Sequence, residues 1–99
     1  METLDESSVI VAADHTTSAQ VDGESVILDL DDGIYYGLNS SGSRIWKELQ
    51  EQKTIEELVE KIAKEYDVDR PECKKDILTL IQKLNENNLV RIMGPREQK

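Results

Sequence analysis

The run Gly33-Ile34-Tyr35-Tyr36-Gly37-Leu38-Asn39, followed by Gly42 and Ile45-Trp46, constrains this chain more than any other segment. A β-like stretch passes through a glycine-punctuated turn into a helix that a tryptophan anchors. Three of the four aromatic residues fall within this region, and the fourth, Tyr66, stands apart. Such a segment is a structural joint. It carries no nucleophile, general base or metal-ligand cluster, and so points to a binding module rather than an enzyme.

Upstream, Thr17 to Val21 and Ser25 to Leu30 flank Asp22-Gly23, a strong two-residue hairpin signal. That turn places Ala19 opposite Val26 and Thr17 opposite Leu28. The next connection, Asp31-Asp32-Gly33, admits two registers. A two-residue loop at Asp32-Gly33 pairs Asp29 with Tyr36. A three-residue loop with Gly33 left-handed pairs Leu30 with Ile34, Leu28 with Tyr36 and Val26 with Leu38. Only the latter gathers all the large apolar side chains on one face, and a one-residue slip inverts them. The expectation is a three-stranded antiparallel meander whose last strand, Ile34 to Leu38, is an edge with unpaired backbone groups. Val9 to Ala13 has strand composition, but nothing nearby fixes its partner.

Three helices follow. The first is expected from about Ser41 to Gln50, burying Ile45, Trp46 and Leu49. Thr54-Ile55-Glu56-Glu57 is a capping box opening the second, which sets Ile55, Leu58, Val59, Ile62 and Tyr66 at core spacing. Asp69-Arg70-Pro71-Glu72 starts the third with a cap, an early proline and an acidic turn. It runs to about Asn87, and Asn87-Asn88 supplies a left-handed stop. On this helix Cys73, Ile77, Leu80 and Leu84 cluster, with Ile81 at the margin. A second stripe of Lys74, Leu78, Ile81 and Asn85 gives more apolar width than one core face requires. It reads either as a broad core face or as the lining of a groove. Leu89-Val90-Arg91-Ile92 returns as a short extended segment, and Gly94-Pro95 ends the ordered part.

The chain of 99 residues makes one domain, and its net charge of −9 repels phosphates. The third helix balances Lys74, Lys75 and Lys83 against Glu72, Asp76 and Glu86, which makes it a poor DNA reader although the strands and helices suggest a winged-helix layout. A single cysteine, Cys73, excludes an internal disulfide. No apolar run spans a membrane and the acidic start lacks a signal-peptide layout, so the chain reads as soluble and cytoplasmic. Asp29-Leu30-Asp31-Asp32-Gly33 resembles a calcium loop, but the glycine is misplaced and Ser40 stands where a glutamate is needed, so a solvated turn is expected and no metal. His15, the single histidine, and Cys73 form a dyad only on paper. A lowered thiol pKa near the helix start is conceivable, though a small buried side chain is the simpler reading. No phosphate-cradling loop and no cofactor motif is present.

Leu28-Asp29-Leu30, the Gly33-to-Asn39 run, Gly42, Ile45-Trp46, Asp76-Ile77 through Leu84 and Asn88-Leu89-Val90 together resemble the PqqD-like family. These are the recognition elements of pathways that make ribosomally synthesised, post-translationally modified peptides. The likeness spans about residues 17–92. The Tyr-Tyr-Gly-Leu-Asn form in a free-standing chain is most similar to the discrete members of lasso-peptide pathways. Asn88 departs from the glycine frequent there, but it also tolerates a left-handed backbone. The resemblance implies an α+β, winged helix-turn-helix-like fold, a three-stranded sheet followed by a three-helix bundle, with no catalysis and no cofactor. Residues 1–16 and 93–99 lie outside the likeness and read as a loose arm or an extra strand and as a flexible tail. It further implies that a precursor's leader peptide adds as a strand against Ile34, Tyr35, Tyr36, Gly37 and Leu38, beside Lys74, Leu78, Ile81 and Asn85. Tyr35, Leu78 and Ile81 are the expected pocket walls. The partners implied are a leader peptidase of the transglutaminase-like cysteine protease type and an ATP-dependent macrocyclase, without nucleic acid or membrane. A winged-helix DNA-binding regulator is the alternative, and a small Cys73–His15 hydrolase a distant third.

Overall fold

The computed structural model describes residues 7–94. Of the loose arm or extra strand expected over 1–16 and the tail expected over 93–99, residues 1–6 and 95–99 lie outside the described residues. In chain order the elements are β1 (Val9–Ala12), β2 (Thr16–Val21), β3 (Glu24–Asp29), β4 (Ile34–Gly37), α1 (Ser40–Glu48), β5 (Lys53–Thr54), α2 (Ile55–Tyr66), α3 (Arg70–Glu86) and β6 (Val90–Met93). Two antiparallel sheets, β2-β3-β4 and β5-β1-β6, combine with three helices in the expected α+β class.

The first hairpin follows its turn chemistry. Asp22 and Gly23 take φ of 55° and 83°, and Ala19 pairs with Val26 and Thr17 with Leu28. The second hairpin does not follow the expected register. Val26 pairs with Gly37, Ile27 with Tyr36, Leu28 with Tyr35 and Asp29 with Ile34. The loop is one residue longer than expected, and the inward face is inverted. Asp29 is the cause: its carboxylate accepts the N–H groups of Asp31 (2.9 Å) and Asp32 (3.2 Å), while Gly33 N–H returns to the Asp29 carbonyl at 2.7 Å. Gly33 closes this turn at φ 71°, a conformation costly for other residues. The inward residues of β3 are therefore Ser25, Ile27 and Asp29, all buried, and Val26 and Leu28 point away from the helices.

The joint between β4 and α1 explains why small polar residues sit there. Asn39 caps α1 by accepting from Gly42 N–H at 2.8 Å, and a Cβ on Gly42 would stand 3.3 Å from that same oxygen. Ser43, buried, accepts the Ser25 N–H at 2.6 Å and donates to the Leu38 carbonyl at 3.3 Å, inserting its hydroxyl into the β3–β4 ladder. Trp46 is 2% exposed and donates its indole N–H to Ser18 Oγ at 3.0 Å, tying α1 to β2.

The capping box at Thr54 and Glu57 forms as read from sequence. Asn88 supplies the left-handed stop after α3, at φ 60°. Asp69 precedes α3 without a side-chain cap bond, so Pro71 and the acidic first turn define that start. On α3 the buried row is Cys73, Ile77, Ile81 and Leu84, while Leu80 is only partly buried. Tyr66, expected in the core, is 45% exposed at the end of α2.

The second sheet was not read from sequence. β1 is its central strand, pairing Ile10 with Lys53 on one side and with Ile92 on the other. Residues 9–12 form a strand, β1, which brings Val9 and Ile10 into the buried interior. Arg44 joins α1 to α2 by bonds to Glu65 (2.8 and 2.9 Å) and holds Glu48 of its own helix at 2.7 Å, while Lys61 of α2 lies 3.2 Å from Glu48. Burial alone would raise the Glu48 pKa, but the hydrogen bonds from Arg44 and Lys61 outweigh it and leave it lowered. The Arg44 hydrogen bond lowers that of Glu65.

Two outcomes are expected. Ile27→Ala should cost about 2–5 kcal/mol and Val26→Ala about 1 kcal/mol or less in urea unfolding, the reverse of the order that the alternative register requires. Because both glutamates titrate lower folded than unfolded, their contribution is present above about pH 4.3 and is lost as pH falls through the depressed folded values. Arg44→Gln should therefore melt earlier than the parent chain at pH 7, and the difference should shrink as the pH falls through that range. A constant difference would contradict the assignment.

Candidate functional site

β4 is an edge: it pairs with β3 on one side and with no strand on the other among the described residues. The bond from Leu38 N–H to the Ser25 carbonyl, at 2.9 Å, sets the alternation. Ile34 and Tyr36 turn their backbone groups toward β3, and Tyr35 and Gly37 turn theirs outward. Two N–H and two C=O groups thus stand in a row, ready for an added strand.

Side chains alternate too. Tyr36 and Leu38 are half-buried against the core cluster, and Ile34 shares their face but is 48% exposed. Tyr35 is 68% exposed and on the opposite face, so it does not form a wall on the helical side as expected from sequence. On α3, Leu78 is half-buried and packs on the core, Lys74 is partly exposed and Asn85 exposed. Ile81 is fully buried and belongs to the core, which removes it from the expected walls. The structure brings Tyr36, Leu38 and Leu78 onto one core cluster, each retaining partial exposure. Leu80 joins them on that cluster from the far flank of the buried row.

Sequence reasoning missed an apolar hollow of about 180 Å³ among α1, α2 and α3. Ile45, Ile62, Tyr66, Val68, Cys73 and Ile77 line it together with the carboxylate-bearing Asp76, and Ser41 places it beside the first turn of α1. The exposed Tyr66 and Val68, at 45% and 44%, were its signal: two large apolar residues at a helix end without a partner.

The catalytic alternatives lose their geometry. Cys73 is buried, its thiol contacts the Val59 carbonyl at 3.9 Å, and burial together with the nearby Asp76 raises its pKa rather than lowering it. His15 lies instead against Asp29, Nε2 to Oδ2 3.9 Å. With Asp31 these form a group whose ligand-type atoms lie within 4.8 Å of one another. β2 pairs Thr16 with Asp29, and the preceding His15 comes near that carboxylate. Asp29 commits one oxygen to the turn, which gives it a structural role in the β3–β4 loop. No helix among the described residues is long and apolar enough to cross a membrane.

Comparison with known proteins agrees with this architecture. No curated protein matches the chain. Two solved structures are similar to it. One is TbiB1 in complex with the TbiA(beta) leader peptide, 41% identical, with a TM-score of 0.76 over 82% of this chain and 94% of that one. The other is lasso peptide synthetase B1 complexed with the leader peptide, 27% identical, with a TM-score of 0.74 over 83% of this chain and 96% of that one. The family model of coenzyme PQQ synthesis protein D matches residues 24–90, from the start of β3 to the start of β6. With the β3–β4 hairpin, the Trp46 joint and α3 all inside that match, the chain belongs to the PqqD family.

Proposed function

We propose that this chain is a noncatalytic adaptor that binds the leader peptide of a ribosomally made peptide precursor, of the lasso class, and delivers it to a processing enzyme. The observation that carries the reading is the open edge of β4, where Tyr35 and Gly37 face outward with unpaired backbone groups. The leader adds there as a fourth strand, with Ile34, Tyr36 and Leu38 on the helical side and Lys74, Leu78 and Asn85 across from them. The likeness to two chains solved with leader peptides supports this choice of ligand. The raised pKa of buried Cys73 supports a role without chemistry. The enzyme served is a leader peptidase of the cysteine protease type or an ATP-dependent macrocyclase.

Magnitudes require more than a strand ladder. Four edge bonds at about 1 kcal/mol each fall short of the roughly 8 kcal/mol of micromolar binding, and ordering a flexible leader costs a few more. Two or three apolar leader residues buried at about 1.5–3 kcal/mol each close the difference. Leu78 and the hollow beside Ile45 and Ile77 offer such contacts. Affinity should accordingly depend little on salt. The DNA-binding alternative gains no support from α3, whose four basic residues against three acidic ones leave a net charge of only +1 on a chain of −9.

Gly37 gives a selective test, because its N–H points away from β3. Gly37→Pro removes an edge donor while sparing the β3–β4 ladder, and proline is tolerated on such edges. Gly37→Ala keeps the donor, and its Cβ meets nothing within 4 Å. By calorimetry with the cognate leader, the proline variant should bind roughly tenfold or more weakly and the alanine variant like the parent. Equal affinities would overturn strand addition at this edge.

A further inference from the structure

The β3–β4 register leaves the meander apolar on both faces. Ile27 and Tyr36 serve the core, while Ala19, Val21, Val26, Leu28 and Tyr35 share the opposite side with Thr17 and Glu24, and Leu30 follows just past the end of β3. Neither Val26 nor Leu28 packs on the core cluster, and Val21, Leu30 and Tyr35 are 56%, 58% and 68% exposed. A three-stranded sheet with one wet face ordinarily alternates polar residues there. Here that face is greasy at its centre and acidic at both ends, with Asp22 and Glu24 at one hairpin and Asp31 and Asp32 at the other, all exposed.

The charge distribution says what fits. Residues 1–43 contain nine acids and no Lys or Arg, whereas residues 44–99 carry twelve of each sign. The entire net charge of −9 therefore lies in the part of the chain that builds β1 and the meander. A second copy of this chain would set acid against acid at both rims.

We propose that the outer face of the meander docks the processing enzyme, through an apolar patch framed by Lys and Arg. This deepens the adaptor reading and rests on it. The face is continuous with the leader track, since Tyr35 contributes its side chain to the face and its backbone to the edge. A leader strand on β4 widens the sheet from three strands to four and enlarges the docking area. The enzyme therefore binds the leader-loaded chain more tightly than the empty one, and loading is read out as recruitment.

The test uses the full chain, its cognate precursor and the purified peptidase that removes that leader. Ala19→Glu/Val21→Glu charges the face on β2, far from the β4 edge, at exposed positions. Glu24→Lys/Asp32→Lys cancels the net charge of both rims and leaves the apolar centre intact. Leader affinity, measured first without enzyme, should stay within about twofold of the parent for both variants. Cleavage of the loaded precursor at limiting enzyme should fall at least tenfold for the first variant, and for the second it should fall and lose its sensitivity to salt. Parent-like cleavage by both variants would overturn the proposal, as would a parent dimer in sedimentation that the first variant dissolves. If the first variant melts early, the rim variant alone decides. Failure of the parent chain to bind leader at all registers in the first measurement, and it removes the adaptor reading together with this one.

Discussion

The buried carboxylate of Asp29 decides which way the meander faces. By gathering the Asp31 and Asp32 N–H groups, with Gly33 closing back on its carbonyl, it fixes a four-residue loop and hence the pairing of Ile27 with Tyr36. That pairing sends Ile27 into the core and turns Val26 and Leu28 outward. It also turns the backbone groups of Tyr35 and Gly37 to the open edge. A slip of one residue would exchange every one of these roles. His15 stands beside the same carboxylate, so the start of β2, the end of β3 and the loop into β4 are held at one point.

From this point the rest of the site follows by packing. Ser43 inserts its hydroxyl between Ser25 and Leu38, so the first turn of α1 is seated on the ladder rather than merely beside it. Trp46 then fixes α1 against β2, and Arg44 fixes it against α2. The far side of β4 is left open, and α3 packs through Cys73, Ile77, Ile81 and Leu84 with Leu78 still partly exposed. A preformed edge held on a rigid frame lowers the ordering cost on the protein's side, leaving that cost to the incoming peptide.

Features governed by local chemistry were legible in the sequence. The Asp22-Gly23 hairpin, the Thr54–Glu57 capping box and the left-handed Asn88 depend on residues within a few positions of one another, and each forms as read. The β3–β4 register was misread because it was judged by gathering large apolar residues on one face. The chain instead buries Ser25 and Asp29, whose partners lie in a turn and on a helix that no strand pattern reveals. Ile81 and Leu80 exchanged places for a related reason: helix periodicity gives the width of an apolar arc, but the neighbour decides its centre. The β5-β1-β6 sheet was invisible because its strands are short and come from three distant segments. Of the candidate site, the β4 edge was legible and the placing of Tyr35 and Ile81 was not.

The central claim is that the vacant side of β4 receives a peptide strand, and amide hydrogen exchange reads it residue by residue. In the free chain the Tyr35 and Gly37 amides should exchange much faster than those of Tyr36 and Leu38, which face β3. With saturating cognate leader, Tyr35 and Gly37 should slow to match their neighbours. Unchanged exchange at both positions under saturation would contradict the account.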